Sequence, residues 1–415
     1  MTEPSASKVP GPTSGHLVGL QRLVAGDLDT FTSQLWGRYP LLSRAEDLTR
    51  GFEDLLGPDA VDELVSQRGL RTPFMRVAKD GTTLGDRAFT APGGTGAGVA
   101  DQVSDGKLVA LFADGATMVL QGLHRIWPPI IEFAQQLSAD LGHPVQVNAY
   151  VTPPASRGFD DHYDVHDVFV LQVEGQKRWS IHPPVHESPL RDQPWTDHRA
   201  AVQQAAGTES TIDAVLRPCY VLYLPLGTLH AAAALGQIST HLTVGVHTWT
   251  RFTLATQLVA EAVSRLGSDA EVRASLRLGV SVGDAAAIGD DVELVRDRLL
   301  KALADVSAAD VAAGLVGPVR DAQRAAPVGP LAQLRAARDL HDQDLLRLRA
   351  HLDASIAETA DGSELRSRAG TLRLEDSEAD VVHRLLAGDA TPVEQIGHDL
   401  ATRLLAAAVL VPSQP

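Results

Sequence analysis

The chain has 415 residues, 44% hydrophobic and 21% charged, a composition typical of folded globular domains that excludes collagen-like or wholly disordered chains. At this length we expect two or three domains, the first large enough to enclose a buried site. A net charge of -16 disfavours direct nucleic-acid binding, the single cysteine excludes an internal disulfide, and no signal peptide or membrane span is evident, so we expect a cytoplasmic protein without a membrane role.

The N-terminal segment, residues 1–19, is small, polar and rich in proline, which predicts a disordered tail. Apolar residues then recur at spacings of three and four up to about residue 70, which predicts short amphipathic helices outside a sheet. They include Phe31, Leu35, Leu48, Phe52, Leu55 and Leu56. The glycines of 93–98 follow no strand and precede no helix, so they predict a surface loop rather than a nucleotide-binding loop.

The middle of the chain has the pattern of a barrel. A helix is predicted from residue 128 to 137, because two prolines stand at its start and a glycine follows its last turn. Alternating or continuous apolar runs, separated by proline and glycine turns, then predict strands at 145–151, 168–173, 220–224 and 240–246. Short strands of this kind predict a jelly-roll or cupin-like barrel that holds one ligand inside.

The C-terminal part changes character at about residue 250. Helical spacing dominates residues 251–340, which predicts a helical region that forms a homodimer interface or a packing bundle. Residues 341–415 combine strand-like pieces at 346–357 and 370–374 with two amphipathic helices, a combination that predicts a winged-helix-like domain. The fold class is therefore α+β, with a barrel domain at 20–250 followed by these two regions.

His162, Asp164 and the distant His230 predict a metal site. Residues two apart at a strand end face the same side, so the imidazole and the carboxylate point at one place. Two nitrogens and one oxygen leave open positions on an ion, as in non-haem Fe(II) oxygenases, although the same donors also suit Zn(II). The spacing alone leaves His166 and Asp167 available as alternative ligands.

Four segments carry a resemblance to a known family. They are Asn-Ala-Tyr-Val-Thr-Pro-Pro at 148–154, Gly-Phe-Asp-Asp-His-Tyr-Asp at 158–164, the run from Phe169 to Trp179, and Leu-Pro-Leu-Gly-Thr-Leu-His at 224–230. Together they resemble the JmjC-type 2-oxoglutarate oxygenases, and within these the ribosomal oxygenase branch. The likeness covers roughly residues 20–250. The later segments are similar to that branch's dimerisation and C-terminal domains only loosely.

The resemblance implies roles for individual residues. His162, Asp164 and His230 correspond to the family's iron ligands. Lys177 corresponds to the lysine that pairs with the distal carboxylate of 2-oxoglutarate, and Tyr150 to a tyrosine that hydrogen-bonds the same group. It implies further that Asn148 contacts co-substrate or substrate and that Thr243 and His241 line the pocket, although the chain is one residue short of the family spacing before Thr243.

By the same resemblance, the chain is expected to be a dioxygenase that uses Fe(II), 2-oxoglutarate and O2. Its expected substrate is a protein side chain, a histidine or arginine of a basic ribosomal protein hydroxylated at the β-carbon, and a homodimer is expected. Hydroxylation of another peptide, an amino acid or a small metabolite is the alternative within the same chemistry. Outside it stand a zinc-dependent hydrolase or isomerase, which has no use for an inward Lys177, and a non-catalytic cupin or DNA-binding regulator.

Overall fold

The computed structural model describes residues 17–154, 156–157, 159–359 and 362–413. Contacts divide the chain into two compact units, Met1–Thr248 and Trp249–Pro415. Residues 1–16 of the predicted tail lie outside the described residues. Residues 17–19 belong to the fold instead, because Leu17 is buried and a helix begins at Val18.

The first unit contains seven α-helices and thirteen strands among its described residues. The helices are α1 Val18–Gln21, α2 Leu28–Thr30, α3 Pro58–Gln67, α4 Asp105–Ala113, α5 Leu123–Ile126, α6 Pro128–Leu141 and α7 Arg199–Ala206. The strands are β1 Leu41–Ser43, β2 Met75–Lys79, β3 Thr82–Thr83, β4 Thr90–Ala91, β5 Gln102–Val103, β6 Thr117–Leu120, β7 Val145–Thr152, β8 Asp167–Glu174, β9 Lys177–His182, β10 Ile212–Leu216, β11 Val221–Leu224, β12 Leu229–Ala234 and β13 Ser239–Val246.

Two antiparallel sheets form the barrel core. The larger has eight strands in the order β1-β11-β8-β13-β7-β6-β2-β3, and the smaller has the order β10-β9-β12. Apolar side chains of both sheets pack in one cluster that includes Val170 of the larger sheet and Ile181 of the smaller. The predicted helix α6 and the four predicted strands, now β7, β8, β11 and β13, are confirmed.

Alternation along β7 explains how the barrel has both a core and a polar interior. Val145, Val147, Ala149 and Val151 belong to the large apolar cluster that the flanking helices share. The intervening residues face the other side of the sheet, where Tyr150 lines a cavity between the sheets. The strand therefore supports the fold with one face and the site with the other.

The N-terminal prediction is only partly confirmed. Phe31–Leu35 forms a turn of π-helix, but the segment holding Leu48 and Phe52 forms turns without a helix. Its apolar spacing reflects packing, since Phe52 and Leu56 are almost completely buried against the sheet. Residues 93–98 form a loop as predicted.

The second unit begins with helices α8 Arg251–Leu266, α9 Ala285–Asp305, α10 Ala308–Asp321 and α11 Pro330–Arg338. It continues with β14 Leu345–Leu348, β15 Ser355–Thr359, β16 Gly362–Ser367, β17 Gly370–Leu374, α12 Asp376–Leu385, β18 Thr391–Pro392, α13 Val393–Ile396, α14 His398–Ala406 and β19 Leu410–Pro412. The single strand-like piece predicted at 346–357 is wrong, because left-handed backbone at His351 (φ 55°) and Asp353 (φ 51°) separates β14 from β15. No helix among the described residues is long and apolar enough to span a membrane.

Candidate metal centre

The main chain itself holds His162 beside His230. The two residues form an isolated antiparallel bridge, with N–H to carbonyl distances of 3.1 Å from His162 to His230 and 2.9 Å in the other direction. Gly227 turns the chain between β11 and β12 in left-handed backbone (φ +81°), and its N–H donates to the carbonyl of Asp164 at 2.9 Å. These backbone bonds bring residues far apart in sequence to one place.

The side chains of His162, Asp164 and His230 converge at that place. One ligand atom from each lies within 4.8 Å of the others. The Nδ1 of His162 is 2.7 Å from the carbonyl of Asp160, and the Nδ1 of His230 is 2.9 Å from that of Thr228. If each Nδ1 donates its hydrogen, each Nε2 is an acceptor available to a metal.

The electrostatics of the cluster suit a cation. Although burial raises the pKa of Asp164, three neighbouring histidines and Arg76 lower it below its usual range, so the carboxylate is ionised. Burial and the neighbouring His162 lower the pKa of His230 to about 4, which keeps its imidazole neutral near pH 7. An ionised carboxylate and a neutral imidazole are the protonation states that metal binding requires.

Lys177 lines the same cavity, and it pairs with Ala234 of β12, four residues along that strand from His230. It begins β9 directly after a tight turn in which Gly175 has φ +66°, and a Cβ on Gly175 would lie 2.0 Å from the carbonyl oxygen of Ile238. The turn therefore requires glycine, and the alternation of β9 then places Lys177 and Trp179 on the inner face. The Lys177 amine donates to the hydroxyl of Thr152 at 3.2 Å, and burial lowers its pKa to about 7.

The remaining predicted residues divide into two groups. Tyr150, His241 and Thr243 line the cavity together with the three clustered residues and Lys177. Asn148 faces the same side of β7, but its amide oxygen accepts from the N–H of Gly122 at 3.0 Å and it is absent from the cavity wall. Contact of Asn148 with co-substrate or substrate remains a prediction.

Comparisons with known proteins bear on this site. The family model described as JmjC domain matches residues 127–254, a stretch that includes His162, Asp164, Lys177 and His230. Residues 127–254 form a JmjC domain.

Proteins similar to the JmjC part of the chain include the "bifunctional lysine-specific demethylase and histidyl-hydroxylase NO66" of Drosophila mojavensis, 34% identical over 137 residues, 33% of this chain and 15% of that protein. The Aedes aegypti protein of the same name is 26% identical over 221 residues, 53% of this chain and 33% of its own length. "Ribosomal oxygenase 1" of Rattus norvegicus is 33% identical over 147 residues, 34% of this chain and 24% of its own length. The chain thus spans a third or less of these relatives.

The solved structure of the Escherichia coli ribosomal oxygenase YcfD covers 94% of this chain and 99% of its own, with a TM-score of 0.54 and 14% identity. A second YcfD structure, described as a complex with cobalt and 2-oxoglutarate, has a TM-score of 0.53 at 14% identity. At this identity the likeness shows the fold alone. The predicted JmjC/cupin fold with an antiparallel core is confirmed.

Arg76 lies beside the cavity residues Tyr150 and Asp164, outside the stretch that matches the JmjC model, and the sequence analysis missed it. It lies on β2, outside every recognised motif, and its guanidinium hydrogen-bonds Tyr150 and acts electrostatically on Asp164. Burial, together with Asp164, raises the pKa of Tyr150 to about 12, so the phenol stays protonated. The available signal was a lone arginine inside the apolar run Met-Arg-Val-Ala at 75–78.

Proposed function

We propose that the chain is an Fe(II)- and 2-oxoglutarate-dependent oxygenase that hydroxylates a protein side chain. The observation that carries the proposal is one cavity that is lined by the cluster of His162, Asp164 and His230 and also by Lys177. The names histidyl-hydroxylase and ribosomal oxygenase, which two relatives carry, support a histidine of a ribosomal protein as the substrate. The family resemblance adds arginine as the other candidate and the β-carbon as the target. A cytoplasmic location follows, since ribosomal proteins are made there.

The donor set fits a ferrous ion. Two imidazole nitrogens and one carboxylate oxygen on one side of an ion leave positions for co-substrate and O2. His162 and His230 would supply the nitrogens, and Asp164 the oxygen. With Fe(II) and 2-oxoglutarate bound, oxidative decarboxylation to succinate and CO2 supplies the oxidant that places one oxygen atom on a C–H bond.

The residues of this chain bind and orient the co-substrate, and they exclude bulk water from the cavity. Lys177 would pair with the distal carboxylate of 2-oxoglutarate, because a buried ammonium requires an anion. The protonated Tyr150 can donate a hydrogen bond within the same cavity. Val168, Val170 and Trp179 provide apolar wall that excludes bulk water around the reacting atoms.

A turnover assay tests the proposal. Purified protein supplied with Fe(II), 2-oxoglutarate, O2 and peptides that tile the ribosomal proteins should form succinate, and one peptide should gain one oxygen atom by mass spectrometry. The Asp164→Ala variant should abolish both signals. Absence of succinate with the unmodified protein under all conditions would overturn the proposal. Oxidation of a small metabolite, or loss of methyl from a methyl-lysine peptide, would instead retain the chemistry and change the substrate.

We propose further that the helical region forms a homodimer and that the C-terminal part is a winged-helix-like domain. No residue of α9 or α10 is buried, although both helices are amphipathic. An apolar groove lined by Leu254, Leu258, Val311, Leu315 and Val316 runs between α8 and α10. A second copy of the chain that covers this groove would complete the core that these helices lack.

A further inference from the structure

Lys177 and His241 are two buried nitrogen bases on facing walls of the same cavity. Lys177 is 4% exposed on β9 of the smaller sheet, and His241 is 3% exposed on β13 of the larger sheet. Among the described residues, no carboxylate lies within ion-pair distance of Lys177, and its hydrogen-bond partner is the neutral hydroxyl of Thr152. This end of the cavity therefore presents hydrogen-bond donors without an acceptor of opposite charge.

Packing fixes the ring of His241. The imidazole stacks on Tyr150 with 5.0 Å between ring centroids and 6° between ring planes. It makes a T-shaped contact with Trp179, with 5.6 Å between centroids and 86° between planes. The Trp179 ring centroid also lies 5.8 Å from that of His230, so Trp179 packs near both histidines. A ring held by two aromatic neighbours loses little freedom when a ligand binds.

One polar atom of His241 remains without a partner. Its Nδ1 is buried and has no hydrogen bond to any described residue. Burial, with the charge of Lys177, lowers the pKa of His241 well below its usual value, so the ring is neutral and carries one N–H. Buried polar groups in folded proteins are normally satisfied, and His241, whose ring has such a group without a partner, lines the cavity.

We propose that His241 is a further hydrogen-bond donor, beside Lys177 and Tyr150, for the distal carboxylate of the co-substrate. This inference rests on the proposed function and adds a residue to it. Lys177 supplies charge from the smaller sheet and His241 supplies a directed N–H from the larger sheet, so the carboxylate bridges the two walls. Selection of a diacid over a 2-oxo monoacid then depends on His241 as well as on Lys177 and Tyr150.

A binding experiment without turnover tests this. The dissociation constant of 2-oxoglutarate is measured by calorimetry on the full chain loaded with Mn(II), and that of 2-oxopentanoate, which has the same five carbons but ends in a methyl group, is measured beside it. His241→Phe keeps an aromatic ring against Tyr150 and removes the donor. It should raise the dissociation constant of 2-oxoglutarate about tenfold or more, the value expected for loss of a hydrogen bond to a charged group. The dissociation constant of 2-oxopentanoate should change less than about twofold.

Three further variants make the result decisive. His241→Gln retains a hydrogen-bond donor, so its dissociation constant for 2-oxoglutarate should stay within about threefold of that of the natural protein. Lys177→Met should lose the preference for the diacid as His241→Phe does. His383→Phe, at an exposed position of α12, should leave the dissociation constants of both acids unchanged. If His241→Phe does not fold, judged by its thermal unfolding, His241→Met takes its place.

The outcomes separate this inference from the proposed function. If the natural protein binds neither acid with Mn(II) present, the proposed function and this inference both fail. If it binds 2-oxoglutarate and the donor-free variant binds it equally well, or loses both acids to the same extent, only the role of His241 is overturned. A selective loss of the diacid supports it.

Discussion

Lys177 brings an amine into the barrel interior, and its burial has a measurable effect on stability. Its pKa is about 7 in the folded chain, because burial disfavours the ammonium, against an ordinary value of 10.5. Between these two pH values the unfolded chain therefore binds a proton that the folded chain does not. The folded state therefore loses stability as the pH falls from 10.5 to 7, and the loss is fully present below pH 7.

Replacement of Lys177 by methionine should therefore stabilise the ligand-free protein. Each pKa unit corresponds to about 1.4 kcal/mol, which predicts a gain on the order of a few kcal/mol at pH 7 and about 1 kcal/mol at pH 9.5. Denaturant unfolding of both proteins at the two pH values measures it. An equal difference at both pH values would contradict the buried, deprotonating amine.

The residues of the site differ in how well their position can be predicted. The i, i+2 spacing of His162 and Asp164 is visible in the amino-acid sequence, and the family motifs identify Lys177 and His230 as further site residues. Arg76 was missed because it reaches Tyr150 only through the pairing of β2 with β6 and of β6 with β7. His241 was expected to line the pocket, but its place opposite Tyr150 depends on the register of β13 with β7. No spacing rule contains that register.

At the scale of elements, the segment between β9 and β10 packs against residues that adjoin the candidate metal ligands. It contains α7 and a short 3-10 helix at Trp195–His198. Val202 of α7 packs in a small cluster with Tyr163 and Leu229, the residues adjacent to the clustered His162, Asp164 and His230. The Tyr163 hydroxyl donates to the carbonyl of Gln193 at 3.0 Å, which ties the segment down.

Val202→Ala should lower the metal affinity although it changes none of the candidate metal ligands. Loss of buried methyl groups leaves a cavity that costs about 1–3 kcal/mol, and imperfect support typically lowers metal affinity about 10-fold. Calorimetric Mn(II) titration and unfolding measure the two effects. Val61→Ala on α3, in the large core cluster, is the matched control: it should cost similar stability and retain metal affinity. Equal metal affinity in both variants would contradict the supporting role.

Strand periodicity made the barrel elements predictable. The N-terminal segment around Phe52 has helical spacing of its apolar residues but forms turns instead of a helix. Gly51 and Gly57 flank the turns that hold Phe52, and the helix starts only at Pro58. Apolar residues at helical spacing there contact a sheet directly. Burial without periodic backbone cannot be distinguished from an amphipathic helix by spacing alone.

At the scale of the whole molecule, exposed apolar side chains concentrate in the helical region. Phe252 is 59% exposed, Val263 53% and Leu300 59%. Apolar surface of this kind on amphipathic helices is typical of an interface between copies. The C-terminal fold class remains a prediction at the level of the winged helix.

Val316→Asp should convert a dimer to a monomer. Val316 is 52% exposed in the groove between α8 and α10, and a buried unpaired carboxylate would be costly in a covered interface. Light scattering coupled to gel filtration gives the mass of each protein. Val109→Asp, at a 69% exposed valine of α4, is the matched control and should not change the mass. A monomeric parent protein would contradict the proposal.

The paired peptide groups of His162 and His230 have a consequence for iron exchange. Because these bonds belong to the polypeptide alone, the chelating groups stay preorganised after demetallation. EDTA treatment should leave the amide hydrogens of His162 and His230 slow to exchange with deuterium, and added iron should bind again without refolding. Rapid exchange at both amides would show instead that the ion builds its own binding geometry.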